Sequence, residues 1–239
     1  MRFIKQNNLV YLADSTSIQN CVYYLSKYNI TPKVIFDVGA RDCKQSIDFS
    51  NYYKSAKVYS FEPNPIMLGI CENNVKNYPN ISLIKKAINS HNGTSKFYNI
   101  DLEKTNNGYE EGNQGASSLF KLGEKYRSFS GEQIFCSEIE VECIRLDTFI
   151  QQNSIDEIDL LWMDVQAAEK IALESLGHCI GNVKLIHTEL NTIQLYEDCP
   201  KNIFLEVHGF LTNLGFQLIK GNPDVIGWDD YIYINTKFI

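Results

Sequence analysis

The feature that most constrains this chain is its alternation of short, continuously apolar runs with segments that repeat apolar residues at helical spacing. Runs such as VIFDV, KVYSF, IDLLWM and VKLIH are apolar toward both faces of a strand. A strand of that kind needs cover on both sides, the condition found inside a parallel sheet flanked by helices. Between the runs, residues 16–27 place Ile18, Cys21, Val22 and Leu25 on one helical face. Residues 44–54 also read as helical, Pro65 suits the first turn of a helix over 65–76, and Gly177 and Gly215 end helices over 168–177 and 201–214. ISLIKKAI reads as one further strand, and FQLIK with YIYIN as a closing antiparallel pair. This order predicts an α/β fold: a doubly wound, mostly parallel sheet with an antiparallel C-terminal hairpin.

A chain of 239 residues suffices for a single domain, 1–239, with residues 1–30 forming an N-terminal helical cap. The middle is less regular. GTSKFYNI and EIEVECIRL alternate as strands, separated by NNGYEEGNQGASS. Segment 103–133 holds Gly108, Gly112, Gly115, Gly123 and Gly131 with few apolar residues, which predicts a mobile lid. The net charge of −7 opposes general affinity for nucleic-acid phosphates, and no apolar run approaches membrane-span length. Seven scattered cysteines without a CxxC pair offer neither a zinc site nor a disulfide framework. With no apolar signal core at the start, they predict a cytoplasmic protein.

Ligands of open α/β sheets bind beyond the carboxyl ends of the strands. The first of those ends reads Asp37-Val38-Gly39-Ala40. Gly39 permits a tight turn that aims the next helix's amides at a ligand, and Arg41, Gln45 and Ser46 add donors. Glu62 closes the second strand, where a carboxylate can accept from both hydroxyls of a ribose, and Pro63-Asn64-Pro65 fixes an extended turn beside it. Asp164 ends IDLLWMD, facing the cleft as a catalytic group or capping the following helix. Period-two alternation sets His187, Glu189 and Asn191 on one side of the next strand. Asp164, His187 and Glu189 are therefore candidate bases for a proton, and Asp164, Glu189 and Asn191 an alternative oxygen-rich set for Mg²⁺. A nicotinamide dehydrogenase would want GxGxxG, where this turn reads GARDCK.

In combination, FDVGARD, KVYSFEPNP, GASSL, IRLDTF, IDLLWMDVQAAE and HTELNTIQLYED resemble the FkbM-type methyltransferases, over roughly residues 33 to 220. The resemblance implies a Rossmann-like class I methyltransferase with a seven-stranded sheet whose last strand is antiparallel. It implies S-adenosylmethionine as cofactor and O-methylation of a sugar, glycan or small secondary metabolite. By position, Asp37, Gly39 and Ala40 would hold the methionine part, Glu62 the ribose, Ala87 and Ile88 the adenine, and Asp164 would lie near the methyl. Three positions depart from the family pattern: Cys43 replaces a glycine, Gln166-Ala167 replaces Glu-Gly, and Trp162 stands where lysine is common. A binding module that kept this fold and lost its chemistry is the alternative those departures leave open.

Overall fold

The computed structural model describes residues 3–6, 9–12, 16–105, 113–131 and 133–239. The chain begins with an antiparallel pair, β1 (Phe3–Gln6) and β2 (Leu9–Leu12), in which Phe3 lies opposite Leu12. Helix α1 (Ser17–Lys27) follows, started by a capping box in which Thr16 and Gln19 satisfy each other's backbone amides. Among the described residues of the first 30, a paired strand couple precedes the helix, so this part is not a wholly helical cap. FIKQ and LVYL are short runs rich in strand-forming residues, and they pair with each other.

The rest of the chain alternates strand and helix. In order come β3 (Val34–Val38), α2 (Lys44–Tyr52), β4 (Lys57–Phe61), α3 (Pro65–Val75) and β5 (Ile81–Ile84). Next are β6 (Ala87–Ile88), β7 (Gly93–Ile100), α4 (Glu124–Ser130), β8 (Cys136–Ile144) and α5 (Leu146–Gln152). The final part holds β9 (Ile158–Met163), α6 (Glu169–Glu174), β10 (Val183–Asn191), α7 (Ile203–Asn213), β11 (Phe216–Lys220) and β12 (Trp228–Asn235). The seven-stranded sheet runs β11-β12-β10-β9-β3-β4-β5. Strand β12 lies antiparallel between β10 and β11, while β10, β9, β3, β4 and β5 pair in parallel. This is the predicted α/β class, with the reversed strand inside the sheet's edge.

Alternation along β9 shows why these runs are apolar throughout. Leu161 and Met163 join Phe36, Phe61 and Ile186 in the core on one face. Leu160 and Trp162 join Ile35, Val58 and Phe49 on the other, with Cys21 and Leu25 of α1. Full burial of each such side chain stabilises the fold by roughly 1.5–3 kcal/mol.

Two expectations change. ISLIKKAI is not one strand: β5 ends at Ile84, the lysine pair turns the chain, and β6 joins a small sheet of order β6-β8-β7. Lys86 there ion-pairs with Glu142 of β8 at 2.7 Å. The described part of segment 103–133 also buries more than its composition suggests. Gln114, Ala116, Ser118, Leu122 and Tyr126 are buried. Tyr98 and Ser118 exchange backbone hydrogen bonds, and the Gly123 amide donates to Leu195 O at 3.0 Å. A short apolar residue every few positions is enough to dock this stretch. Gly108 and Gly112 lie outside the described residues.

Candidate functional site: two adjoining clefts at the strand ends

Strands β3, β4 and β9 end side by side, and their exits wall a cleft with about 530 Å³ of empty space. Gly39 is what lets the ends come so close. It has φ +85°, and a Cβ there would lie 1.9 Å from the Asp164 carbonyl oxygen. Asp164 N in turn donates to Val38 O at 3.0 Å.

Glu62 stands at the floor of this cleft, buried and double-bonded into its loop. One carboxylate oxygen accepts from Arg41 N and the other from Asn64 N, both at 2.7 Å. Burial pushes its pKa up to about 7, against the lowering effect of those two amides. Each oxygen keeps a lone pair beyond these bonds, so a ligand's hydroxyls have acceptors. Pro63, Ala87 and Ile88 also line the cleft, as do Arg41 and Asp164. Phe97 and Leu119 add apolar wall, while Gln114, Gly115 and Ser117 close it from the middle segment. The sequence reading missed these. The GASSL motif was the available signal, because a small-residue stretch lets backbone approach a ligand.

The other residues nominated at the first strand end sit behind the cleft. Asp37 is buried and accepts from Ser46 Oγ at 2.5 Å; Ser46 Oγ also meets Ser60 Oγ at 2.5 Å. This joins α2 to β3 and β4, and Asp37 Oδ1 keeps no partner among the described residues. Burial raises the Asp37 pKa to about 7. Ala40 packs with Cys43, Met67 and Cys71 under the turn. Gln45 does not line the cleft. Asn64 caps α3 through Ile66 N and passes its amide to Gln114 Oε1 at 2.8 Å, so it tethers the middle segment.

A second cleft, with about 470 Å³ of empty space, abuts the first and shares Arg41, Gly115 and Asp164 with it. Asn113, Tyr126, Gln166, Glu189 and Trp228 complete it. Tyr126 and Trp228 stack with ring centroids 6.3 Å apart and an interplanar angle of 10°. Gln166 occupies the centre of the polar wall. Its Nε2 donates to Asp164 Oδ1 at 2.6 Å and to Glu189 Oε1 at 3.1 Å. Burial raises the pKa of both carboxyl groups; the nearby Asp230 charge adds to this for Asp164, and the Asp164 and Asp230 charges do so for Glu189.

The turn carrying Asp164 is unusual. Gln166 (φ 54°) and Ala167 (φ 78°) are consecutive non-glycine residues in the left-handed region, a strain of order 1–3 kcal/mol each. Ser118 Oγ holds Gln166 O at 2.6 Å, and the buried Glu169 accepts from Val165 N at 3.1 Å. Burial pushes the Glu169 pKa up to about 8.

His187 shares a strand side with Glu189 but lines neither cleft. It is 1% exposed, its ring stacked on Trp162 at 3.6 Å, with Asp230 Oδ1 3.3 Å from Nε2. That contact lacks hydrogen-bond geometry, and among the described residues neither ring nitrogen has a hydrogen-bond partner. Trp162, where lysine was expected, is thus the lid over a core histidine. Asn191 is buried and lines neither cleft. Among the described residues no group of three or more His, Cys, Asp or Glu is placed to hold a metal ion; the Asp164 and Glu189 carboxylates share an amide instead. The IRLDTF motif is architectural, with Arg145 paired to Asp147 and donating to Ser90 O.

Comparison with known proteins identifies the family and the fold. A methyltransferase FkbM domain model matches residues 37–218. The chain is 28% identical over 164 residues to the 2-O-methyltransferase NoeI of Sinorhizobium fredii; the match spans 69% of this chain and 65% of that relative's length. Among solved structures, a methyltransferase FkbM from Methylobacillus flagellatus KT superposes with a TM-score of 0.51 at 14% identity, over 85% of this chain and 44% of that one. An rRNA methylase from Streptococcus thermophilus gives 0.52 at 11%, over 94% and 99%. At such identities the structures share the Rossmann-like fold.

Proposed function

The chain belongs to the FkbM family of methyltransferases, enzymes dependent on S-adenosylmethionine, and from that premise we propose that it methylates a hydroxyl oxygen of a sugar, glycan or small secondary metabolite. The observation that carries this reading is the pair of clefts sharing one wall, with Asp164 on it.

The residues of the first cleft fit the cofactor. Apolar and polar side chains converge in it at the ends of the parallel strands, where ligands of open α/β sheets bind. Glu62 retains acceptor capacity for two ribose hydroxyls, Ile88, Phe97 and Leu119 offer apolar surface for the adenine, and Gly39 lets β3 and β9 close together at the turn where the methionine part would sit. When bound, the cofactor supplies a methyl group already activated on a sulfonium, so the chain needs no electrophile of its own. What remains for the protein is to seat the acceptor, exclude water and take a proton.

The second cleft suits those tasks. Tyr126 and Trp228 present flat apolar surface of the kind a sugar ring packs on, and Asn113 and Glu189 can hydrogen-bond hydroxyls. Asp164 takes up the proton that the acceptor hydroxyl loses as its oxygen gains the methyl. His187 is sealed beneath Trp162 and has no part in that transfer. A chain of net charge −7 favours small hydroxylated acceptors over nucleic acid. Among the described residues, no helix is long and apolar enough to cross a membrane; a cytoplasmic enzyme acting on soluble or sugar-linked acceptors is the matching proposal.

Calorimetric titration with S-adenosylmethionine, followed by incubation with a panel of methyl glycosides and mass spectrometry, tests this. Micromolar cofactor binding and a methylated glycoside are expected. Cofactor binding without transfer to any hydroxyl compound would favour the binding-module alternative.

A further inference from the structure

The polar wall of the second cleft contains a side chain in neither charge state that nevertheless organises both acids. Gln166 has one amide nitrogen with two protons, and each has a carboxylate to meet: Asp164 Oδ1 at 2.6 Å on β9's exit and Glu189 Oε1 at 3.1 Å on β10. Its carbonyl oxygen faces away and accepts from Tyr196 Oη at 2.7 Å. Tyr196 is 1% exposed and its hydroxyl also lies 3.1 Å from Ala116 O, so it is fixed from two sides. This arrangement sets the amide's orientation, since turning it over would set its oxygen against the Asp164 carboxylate and its nitrogen against the Tyr196 hydroxyl proton.

The backbone is committed to the same end. Gln166 has φ 54°, followed by Ala167 at φ 78°, and the Gln166 carbonyl is bound by Ser118 Oγ at 2.6 Å. Strain of this kind persists only where surrounding contacts over-determine it. Here they deliver one amide to the gap between two acids.

We propose that Gln166 is a positioning residue: its amide, locked by Tyr196, holds the Asp164 and Glu189 carboxylates in register on the wall shared by the two clefts. Asp164 Oδ1 thereby takes one amide proton, and Oδ2, which takes none from Gln166, is the oxygen assigned to an acceptor hydroxyl. A glutamate at 166 would bring a third carboxylate against these two, with no proton to offer either once ionised. A glutamine binds both with no added charge. This rests on the reading of Asp164 as the proton acceptor, and it adds a residue that acts through Asp164 without touching the acceptor's oxygen.

The test has two arms. In the first, the ligand-free protein is labelled with ¹⁵N, and the Gln166 side-chain amide signals are identified by their disappearance in Gln166→Met. Both protons should lie well downfield of a free glutamine amide and exchange slowly with solvent. Tyr196→Phe should move them toward the free position and speed that exchange. Free-amide signals in the unmutated protein, or signals indifferent to Tyr196→Phe, would overturn the proposal.

In the second arm, methyl transfer to the methyl glycosides is measured. Gln166→Met should lower kcat about tenfold to a hundredfold, with the acceptor KM and S-adenosylmethionine Kd within about twofold. Tyr196→Phe should lower kcat less, and the double variant should be no worse than Gln166→Met alone, because Tyr196 acts through Gln166. Additive losses, or full kcat in Gln166→Met, would sink the idea. If the unmutated protein methylates no glycoside, the proposed function fails, and the amide signals still decide the place of Gln166.

Discussion

The two clefts share a wall but are built differently. The first is made of strand exits and the turns that follow them: Gly39 after β3, Glu62 after β4, Ala87 and Ile88 in β6, Asp164 after β9. The second draws Asn113 and Tyr126 from the middle segment, Trp228 from the start of β12 and Glu189 from β10. The first rests chiefly on local chain geometry at the strand exits, with Gln114, Gly115 and Ser117 of the middle segment closing it. The second depends on long-range docking of irregular segments, the part of a fold free to vary with the acceptor. Substitutions on the shared wall should damage turnover. Those on either side should separate cofactor binding from acceptor binding.

The largest effect is expected on the shared wall. Asp164→Asn should cut turnover by roughly a hundredfold, the usual scale for one positioned proton acceptor. Cofactor affinity should change by less than about threefold by calorimetry, because Glu62 and the turn at Gly39 are untouched. Near-normal turnover would leave Asp164 as a structural end to β9 and place the burden on positioning.

This division also explains what the sequence disclosed. That Gly39, Glu62, Pro63, Ala87, Ile88 and Asp164 gather at one cleft was legible, because a parallel strand's apolar run announces its own end. The same logic overreached at Asp37, Ala40 and Ser46. A strand's period of two turns Asp37 to the α2 side, where Ser46 takes it, away from the cleft. His187 was misjudged for a related reason: sharing a strand side with Glu189 does not give it equal depth, and Trp162 covers it. Tyr126, Tyr196 and Trp228 carried no periodic signal at all, because their place is set by contacts between distant segments. Tyr196 reaches Ala116 and Gln166, and Trp228 reaches Tyr126.

Next in size is Glu62→Ala, which should weaken S-adenosylmethionine binding about tenfold or more through loss of one or two charge-assisted hydrogen bonds. The pH dependence sharpens this. Burial holds the Glu62 pKa at about 7, and ribose hydroxyls donate best to the ionised form. Affinity should therefore rise as pH increases from about 6 to 8, with proton release on binding, and Glu62→Ala should flatten that rise. The ligand-free fold should show the opposite trend. Asp37, Glu62 and Glu169 all have folded pKa values raised by burial, so the native state holds more protons than the unfolded one. Stability is then full below the ordinary carboxylate range and declines as pH rises toward about 8. A melting temperature that climbs over that interval would contradict the burial argument.

On the other side of the wall, Trp228→Ala should raise the acceptor KM several-fold, about the worth of one ring-stacking surface. Cofactor Kd should stay within twofold, since Trp228 lines the second cleft alone. An unchanged acceptor KM with a weakened cofactor would reverse the assignment of the two clefts.

The smallest effect is expected at Ala167, where opposing contributions nearly cancel. The residue is buried, so removing its methyl forfeits contacts worth roughly 0.8 kcal/mol. Glycine also adds unfolded-state freedom, about 0.5–1 kcal/mol. Against these, φ 78° costs a non-glycine residue on the order of 1–2 kcal/mol, which glycine does not bear. Ala167→Gly should thus leave the unfolding free energy within about 1 kcal/mol of the original, measured by urea denaturation. Gly39→Ala is its counterpart across the same gap: the φ is equally left-handed, and the added Cβ would lie 1.9 Å from the Asp164 carbonyl oxygen. Backbone must shift there, so a loss of more than about 2 kcal/mol and weaker cofactor binding are expected. Changes of similar size and opposite sign, a gain at Ala167 and a loss at Gly39, would mean that the dihedral angle governs this junction. A large cost at Gly39 alone would mean that close approach of β3 and β9 does, with Ala167 strained but unobstructed on the far side of Asp164.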